Sequence, residues 1–118
     1  MSALSRELFR GVMTDKIRQP LGIHWSSEES GAKLFANPAE GEKHTIIRGQ
    51  VKQGDIMTGY DDKFMKEHQI LDSGAPEYEE PVEPGSTVKV TGLTKIRKRG
   101  GVKKTREIKF NPPRKMQA

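Results

Sequence analysis

The chain has 118 residues, with 32% hydrophobic and 31% charged side chains, and this length fits one domain with a modest core. It contains no cysteine, which excludes disulfide bonds, thiolate nucleophiles and sulfur-ligated zinc. Arg6, Glu7 and Arg10 leave no apolar region near the N-terminus of the kind that a signal peptide needs. No apolar stretch of the chain has the length of a membrane span. We therefore expect a cytoplasmic protein without a membrane partner, and the three scattered histidines predict no metal site.

The formal net charge of +5 is unevenly distributed. The segment from Lys95 to Ala118 holds ten Lys or Arg residues and one Glu, a local net charge of +9, and the rest of the chain is acidic. A basic segment of this kind predicts contact with phosphate or with an acidic partner surface. It is equally typical of a solvated strand edge that is protected from aggregation.

The first element, from Leu4 to Met13, has two interpretations. Leu4, Leu8 and Val12 have helical spacing, whereas residues 8–12 also fit a short buried strand that contains Arg10.

A helix is predicted from Ser27 to about Ala36. Ser26 and Glu29 have the spacing of a capping box at its start, and Asn37-Pro38 ends it.

Thr45 to Val51 has the composition of a strand, and Asp61 to Leu71 has that of a short helix. An acidic stretch punctuated by proline follows, from Gly74 to Gly85.

A β-hairpin is predicted at 88–110, where Val88 to Arg99 and Val102 to Phe110 flank the two-residue loop Gly100-Gly101. Opposing Arg99 and Val102 across this loop places Leu93 opposite Ile108, so the base of the hairpin packs and its tip stands in water. The basic residues at or near the tip are Arg97, Lys98, Arg99, Lys103 and Lys104.

Several short motifs follow one another in a particular order. Arg10-Gly11 on a first strand precedes His24-Trp25-Ser26-Ser27, a helix ending in Phe35-Ala36, and then Glu77-Tyr78-Glu79. This order resembles the ADP-ribosyltransferases of the arginine–serine–glutamate group, which include bacterial toxins and phage enzymes. The resemblance implies a single α+β domain over 1–118, with a small mixed β core, short helices and the C-terminal hairpin. It also implies NAD as substrate and a phage or bacterial origin.

The resemblance assigns roles to these residues. Arg10 would bind the NAD diphosphate through its guanidinium fork, and Gly11 would allow close backbone approach to the nicotinamide amide. Glu79 would stabilise the positive charge that develops on the ribose when the glycosidic bond breaks. Glu77 lies two residues before Glu79 and would point to the same side of an extended segment. In this family, an acidic residue at that position accompanies the modification of arginine side chains.

Ser26 and Ser27 would brace the catalytic glutamate and orient the nicotinamide ribose, while Trp25 and Phe35 would offer flat faces for stacking. Trp25 departs from the family pattern, because it stands where the first serine of the turn is expected. Glu80 offers a second register for the acidic pair.

Each assignment has a simpler interpretation. Arg10 fits the surface of an amphipathic helix, Trp25 and Phe35 fit a core, and Glu77, Glu79 and Glu80 fit a solvated acidic loop. His24 is interpreted as a hydrogen-bonded or exposed histidine.

The expected function is NAD-dependent mono-ADP-ribosylation of a macromolecule, with protein arginine favoured, and the basic hairpin would dock an acidic protein or a nucleic acid. Two alternatives remain: a non-catalytic nucleic-acid- or protein-binding module that uses the hairpin, and a catalytically inactive relative.

Overall fold

The computed structural model describes residues 4–57 and 79–118. Four antiparallel strands form one sheet in the order β1-β2-β3-β4. The elements are β1 (Ser5–Val12), α1 (Glu29–Lys33), β2 (Lys43–Lys52), a 3₁₀ turn (Gln53–Asp55), β3 (Thr87–Arg99) and β4 (Val102–Gln117).

The predicted α+β class, with a mixed β core and several short helices, is wrong for the described part of the chain. That part is an antiparallel β fold with one five-residue α-helix. The predicted helix from Asp61 to Leu71 lies outside the described residues.

The first element is a strand, which settles the ambiguity at Leu4 to Met13. A spacing of four residues satisfies the two-residue period of a strand as well as one helical turn, so Leu8 and Val12 share a face in either structure. Leu8 is fully buried, and β1 pairs with β2 along its whole length. Pairing with β2 therefore decides between two conformations that the apolar spacing alone does not separate.

The helix α1 is shorter than predicted. Its N-cap is Glu28, which makes no side-chain capping bond, so the predicted capping box between Ser26 and Glu29 is wrong. Ser26 instead pairs with Phe9 of β1 through two backbone hydrogen bonds of 2.7 and 2.8 Å. This extended pairing keeps the chain out of the helical region until residue 29.

The main core lies between the sheet and the extended segment from Leu21 to Ser26. The Leu21 amide donates to Gln117 of β4 at 2.7 Å, and Ser26 pairs with Phe9 of β1, so this segment joins the two edges of the sheet. The enclosed core residues are Leu8, Leu21, Trp25, Ile47, Val51, Ile56, Val82, Val88, Val90, Leu93 and Ala118. A smaller apolar cluster lies on the other face of the sheet, beneath α1, and comprises Ala32, Ala36, Ile46 and Ile96.

The β3–β4 hairpin has the predicted register at its tip, with Arg99 opposite Val102 and Leu93 opposite Ile108. Gly100 and Gly101 have φ angles of 61° and 74°, which a primed two-residue turn requires. The hairpin is longer than predicted, because β4 continues to Gln117.

The hairpin tip is exposed, as predicted, and a neighbouring loop also contacts it. The carboxylate of Glu40 accepts hydrogen bonds from the Gly100 and Gly101 amides, the latter at 3.1 Å. The Gly41 amide donates to the Lys98 carbonyl at 2.8 Å. The loop at 37–42 therefore holds the tip from the β2 side.

Candidate functional site

Three residues that are distant in sequence, Arg10, Ser26 and Glu79, lie on neighbouring extended segments. Residues 23–26 pair with β1 through Phe9 and Ser26, and residues 79–82 pair with 23–26 through a bridge between Ser26 and Glu79. The Glu80 amide donates to the Trp25 carbonyl at 2.8 Å, which fixes this second pairing. The arrangement pairs the serine directly with the glutamate of the sequence motifs, and Arg10 lies one residue beyond Phe9, the partner of Ser26 on β1.

The Arg10 guanidinium is held against the backbone of the 21–24 segment. Its Nε donates to the Leu21 carbonyl at 2.6 Å, and its Nη1 donates to the His24 carbonyl at 2.8 Å. A Cβ atom at Gly22, whose φ is 109°, would lie 2.5 Å from Nη2, so the glycine makes room for the guanidinium. Burial lowers the pKa of Arg10, and the charge of Glu79 opposes that shift. Arginine stays protonated in proteins, so the site holds a fixed positive charge near Glu79.

The Glu79 carboxylate has a hydrogen-bonding partner that sequence reasoning did not assign to the site. Its Oε1 lies 2.9 Å from Nδ1 of His24, and the two side chains are 12% and 37% exposed, respectively. The interpretation of His24 as a hydrogen-bonded histidine is confirmed. The available signal was strand alternation, which places His24 on the same side as Ser26 and opposite Trp25.

The other residues of the predicted NAD site are dispersed around this centre. Trp25 is fully buried in the core, and its Nε1 donates to the Gly22 carbonyl at 2.8 Å. At Gly11 an added Cβ would lie 2.0 Å from the Ala32 carbonyl oxygen, so α1 occupies the space above this glycine. Phe35, just beyond α1, is 41% exposed, and Ser27 is half-buried. Trp25 and Gly11 thus have evident packing roles, whereas Phe35 has an accessible ring.

Of the two candidate glutamates that the structure describes, Glu79 is the one placed beside Ser26. Glu80 points to the other side of its segment, as successive residues of an extended chain do, and its Oε1 accepts from Nη2 of Arg6 at 3.2 Å. Glu77 lies outside the described residues.

A second cluster of charged residues lies at the far end of the sheet, in a cleft of about 550 Å³. The residues that line it are Asp15, Lys43, Lys95, Ile96, Arg97, Lys104, Thr105 and Arg106. We call this the basic cleft.

The predicted basic residues of the hairpin divide between the two faces of the ribbon. Arg97 and Lys104 line the basic cleft, and Arg99 lies on the same side of β3 by alternation. Lys98 and Lys103 lie on the opposite side, where Lys103 Nζ donates to Asn37 Oδ1. The sequence prediction did not include Lys43, Lys95 and Arg106, which are cleft residues.

Among residues 4–57 and 79–118, no group of three or more His, Cys, Asp or Glu side chains is placed to hold a metal ion. The same ranges contain no helix that is long and apolar enough to cross a membrane. Comparisons with protein-family models, curated proteins and solved structures found no match for this chain.

Proposed function

We propose that the protein is an NAD-dependent mono-ADP-ribosyltransferase that acts on a macromolecular target, with protein arginine as the favoured acceptor. The observation that supports the proposal is that Arg10, Ser26 and Glu79 lie on three neighbouring extended segments, with Ser26 paired to Glu79 and the Arg10 charge near enough to interact with Glu79. These are the residues that the arginine–serine–glutamate resemblance had selected, and 69 positions separate the first from the last. The proposal rests on this local arrangement and not on the α+β class, which is wrong for the described residues.

The proposed chemistry centres on the Glu79 carboxylate. When the bond between the ribose and nicotinamide breaks, its electron pair leaves with nicotinamide and the ribose carbon becomes positively charged. A carboxylate at that carbon stabilises the charge most when it is oriented in advance and partly shielded from water. Glu79 meets both conditions, because its side chain is only 12% exposed and His24 holds Oε1 at 2.9 Å. A nitrogen of the acceptor arginine then bonds to the ribose carbon and releases a proton to solvent water.

Arg10 contributes positive charge at the site. Two of its donors hold the 21–24 segment, so its position depends on the backbone and does not require NAD to order it. A guanidinium fixed in this way is suited to attract the NAD diphosphate.

The test is nicotinamide release from labelled NAD, with and without cell lysate as a source of acceptors. Glu79→Gln keeps the shape of the side chain and removes its charge, and we expect release to fall by roughly 10²- to 10³-fold. The matched control is Glu80→Gln, because the next residue is also a partly exposed glutamate but pairs with Arg6 on the other side of the segment. We expect this control to retain activity.

Thermal unfolding of both variants shows whether the fold is intact. Equal release by the wild type and Glu79→Gln would remove Glu79 from the chemistry. A folded wild-type protein that releases no nicotinamide and shows no NAD-dependent thermal shift would refute the proposed function.

A further inference from the structure

The basic cleft has no part in the proposed reaction, and it points to a binding activity of its own. We propose that it binds the phosphate backbone of a nucleic acid, without sequence preference. The inference is independent of NAD chemistry, because it uses other residues at another part of the sheet.

Strand register gathers the positive charges on one face of three neighbouring strands. Lys43 of β2 lies opposite Arg97 of β3, and Arg97 lies opposite Lys104 of β4. Two residues along β3, Lys95 lies opposite Arg106. The two rows are about 7 Å apart along the strands, and neighbouring strands are about 5 Å apart. The result is a compact array of five cations.

Four of these five cations are available to a ligand. Lys95 is already engaged, because its Nζ lies 3.2 Å from Thr45 Oγ1 and 3.7 Å from Asp15 Oδ1. Within the described ranges, Lys43, Arg97, Lys104 and Arg106 form no salt bridge. Like charges this close repel one another, and a polyanion in the cleft would relieve that repulsion.

The two faces of the hairpin differ in the partners of their basic side chains. A charged strand edge that only prevents aggregation would not require this difference. On the side away from the cleft, Lys103 is bonded to Asn37, and the negative charge of Glu40 acts on Lys98. Lys103 and Lys98 thus each have a polar or charged neighbour, whereas within the described ranges the structure gives no such partner to Arg97, Lys104 and Arg106 on the cleft side.

The residues that line the cleft favour a nucleic acid over an acidic protein. Protein interfaces usually have an apolar, aromatic-rich centre with few lysines, whereas nucleic-acid interfaces are more polar and much more positive. Ile96 is the single large apolar residue among those lining the cleft, and no lining residue is aromatic. Without an aromatic platform for base stacking, the expected contacts are with phosphates, which carry no sequence information.

The experiment measures the binding of labelled 20-nucleotide DNA or RNA over a range of salt concentrations. Single strands and duplexes are compared, each in two unrelated sequences. Four phosphate contacts predict a slope of log K against log salt of about −3 for single strands and about −4 for duplex. We expect similar affinities for the two sequences.

A pair of double variants locates the site. Arg97→Ala with Lys104→Ala removes one cross-strand pair of cations from the cleft. It should make the slope shallower by about 1.5 to 2 and weaken binding roughly 30-fold at 0.1 M salt. The control is Lys89→Ala with Lys115→Ala, which removes an equally charged cross-strand pair of exposed residues near the other end of the same hairpin. The control should bind almost as the wild type does.

Equal losses in the two double variants would overturn the proposal, because binding would then depend on net charge alone. Binding of poly-glutamate in place of either oligonucleotide would also overturn it, in favour of an acidic protein partner. The Glu79→Gln variant should bind oligonucleotides normally, and the Arg97/Lys104 double variant should still release nicotinamide. Failure of one proposal is therefore distinguishable from failure of the other.

Discussion

Substituting Gly11 by alanine tests how closely β1 and α1 pack. An ideal Cβ at this position would lie 2.0 Å from the Ala32 carbonyl oxygen and 3.0 Å from the Ala36 amide nitrogen. Both are backbone atoms, so no side-chain rotation relieves the clash. An ordinary contact between carbon and a carbonyl oxygen is about 3.3 Å or longer, so α1 must shift away from the sheet by about 1 Å.

That shift loosens the apolar cluster beneath α1, in which Ala32 is fully buried and Ala36 is 3% exposed. Overpacking of this kind costs about 1–3 kcal/mol, and each kcal/mol lowers Tm by roughly 2–8 °C in chains of this size range. Urea unfolding provides a direct assay. Trp25 is the single tryptophan and is fully buried, so its fluorescence reports global unfolding.

Gly54→Ala is the matched control, because an added Cβ there would meet no atom within 4 Å. Its unfolding free energy should stay within about 0.5 kcal/mol of the wild type. If Gly11→Ala were as stable as this control, the packing argument would be refuted. Loss of nicotinamide release in a Gly11→Ala protein of full stability would instead support the substrate-contacting role that the resemblance implies.

Three further changes test other parts of the structure. His44 is buried, and among the described residues neither of its ring nitrogens has a hydrogen-bond partner, so His44→Phe should raise the unfolding free energy by about 1 kcal/mol in urea titrations. Hydrogen bonds from the amides of Gly101 and Gly100 lower the pKa of Glu40 in the folded protein. The ionised Glu40 therefore stabilises the fold at pH values above its pKa in the unfolded chain, and this stabilisation is lost as the pH falls through its lower pKa in the folded protein. Thermal unfolding of Glu40→Gln should therefore depend less on pH than that of the wild type in the range below 4.5. Trp25→Ala should lose about 3–5 kcal/mol, measured by circular dichroism, since Trp25 has a fully enclosed ring.

The hairpin was the element most accessible to sequence reasoning, because its turn chemistry is local. Gly100-Gly101 permits the positive φ angles of a primed turn, and once the turn is fixed the register of both strands follows, as Leu93 opposite Ile108 confirms. The start of α1 was not accessible in the same way. Ser26 has the side chain of an N-cap, but its backbone bonds to Phe9, which is 17 positions earlier in the sequence. A long-range pairing of this kind overrides the local capping preference.

In the candidate site, too, some features follow from the sequence and others depend on long-range contacts. Motif order selected Arg10, Ser26 and Glu79, and backbone pairing places these residues on neighbouring extended segments. The contact between His24 and Glu79 joins residues 55 positions apart, so neither residue's neighbours in sequence reveal it. Trp25 suited either a core or a stacking role by residue type, and only its complete burial distinguishes the two.

The basic cleft could not be foreseen from the charge run alone, because a β-bulge decides which residues share its face. Val88, Val90 and Leu93 all belong to the core, although strict alternation would place Leu93 on the opposite face from the two valines. Relative to β2, β3 has one extra residue, Thr91, between Val90 and Gly92, and this bulge brings the odd-numbered positions beyond it onto the core side. Lys95 and Arg97 therefore continue the face that Leu93 begins, and this single face of β3 is core at one end and cleft at the other. Without the bulge, the same sequence would direct these two cations, together with their β4 partners, to the side of α1, away from Lys43.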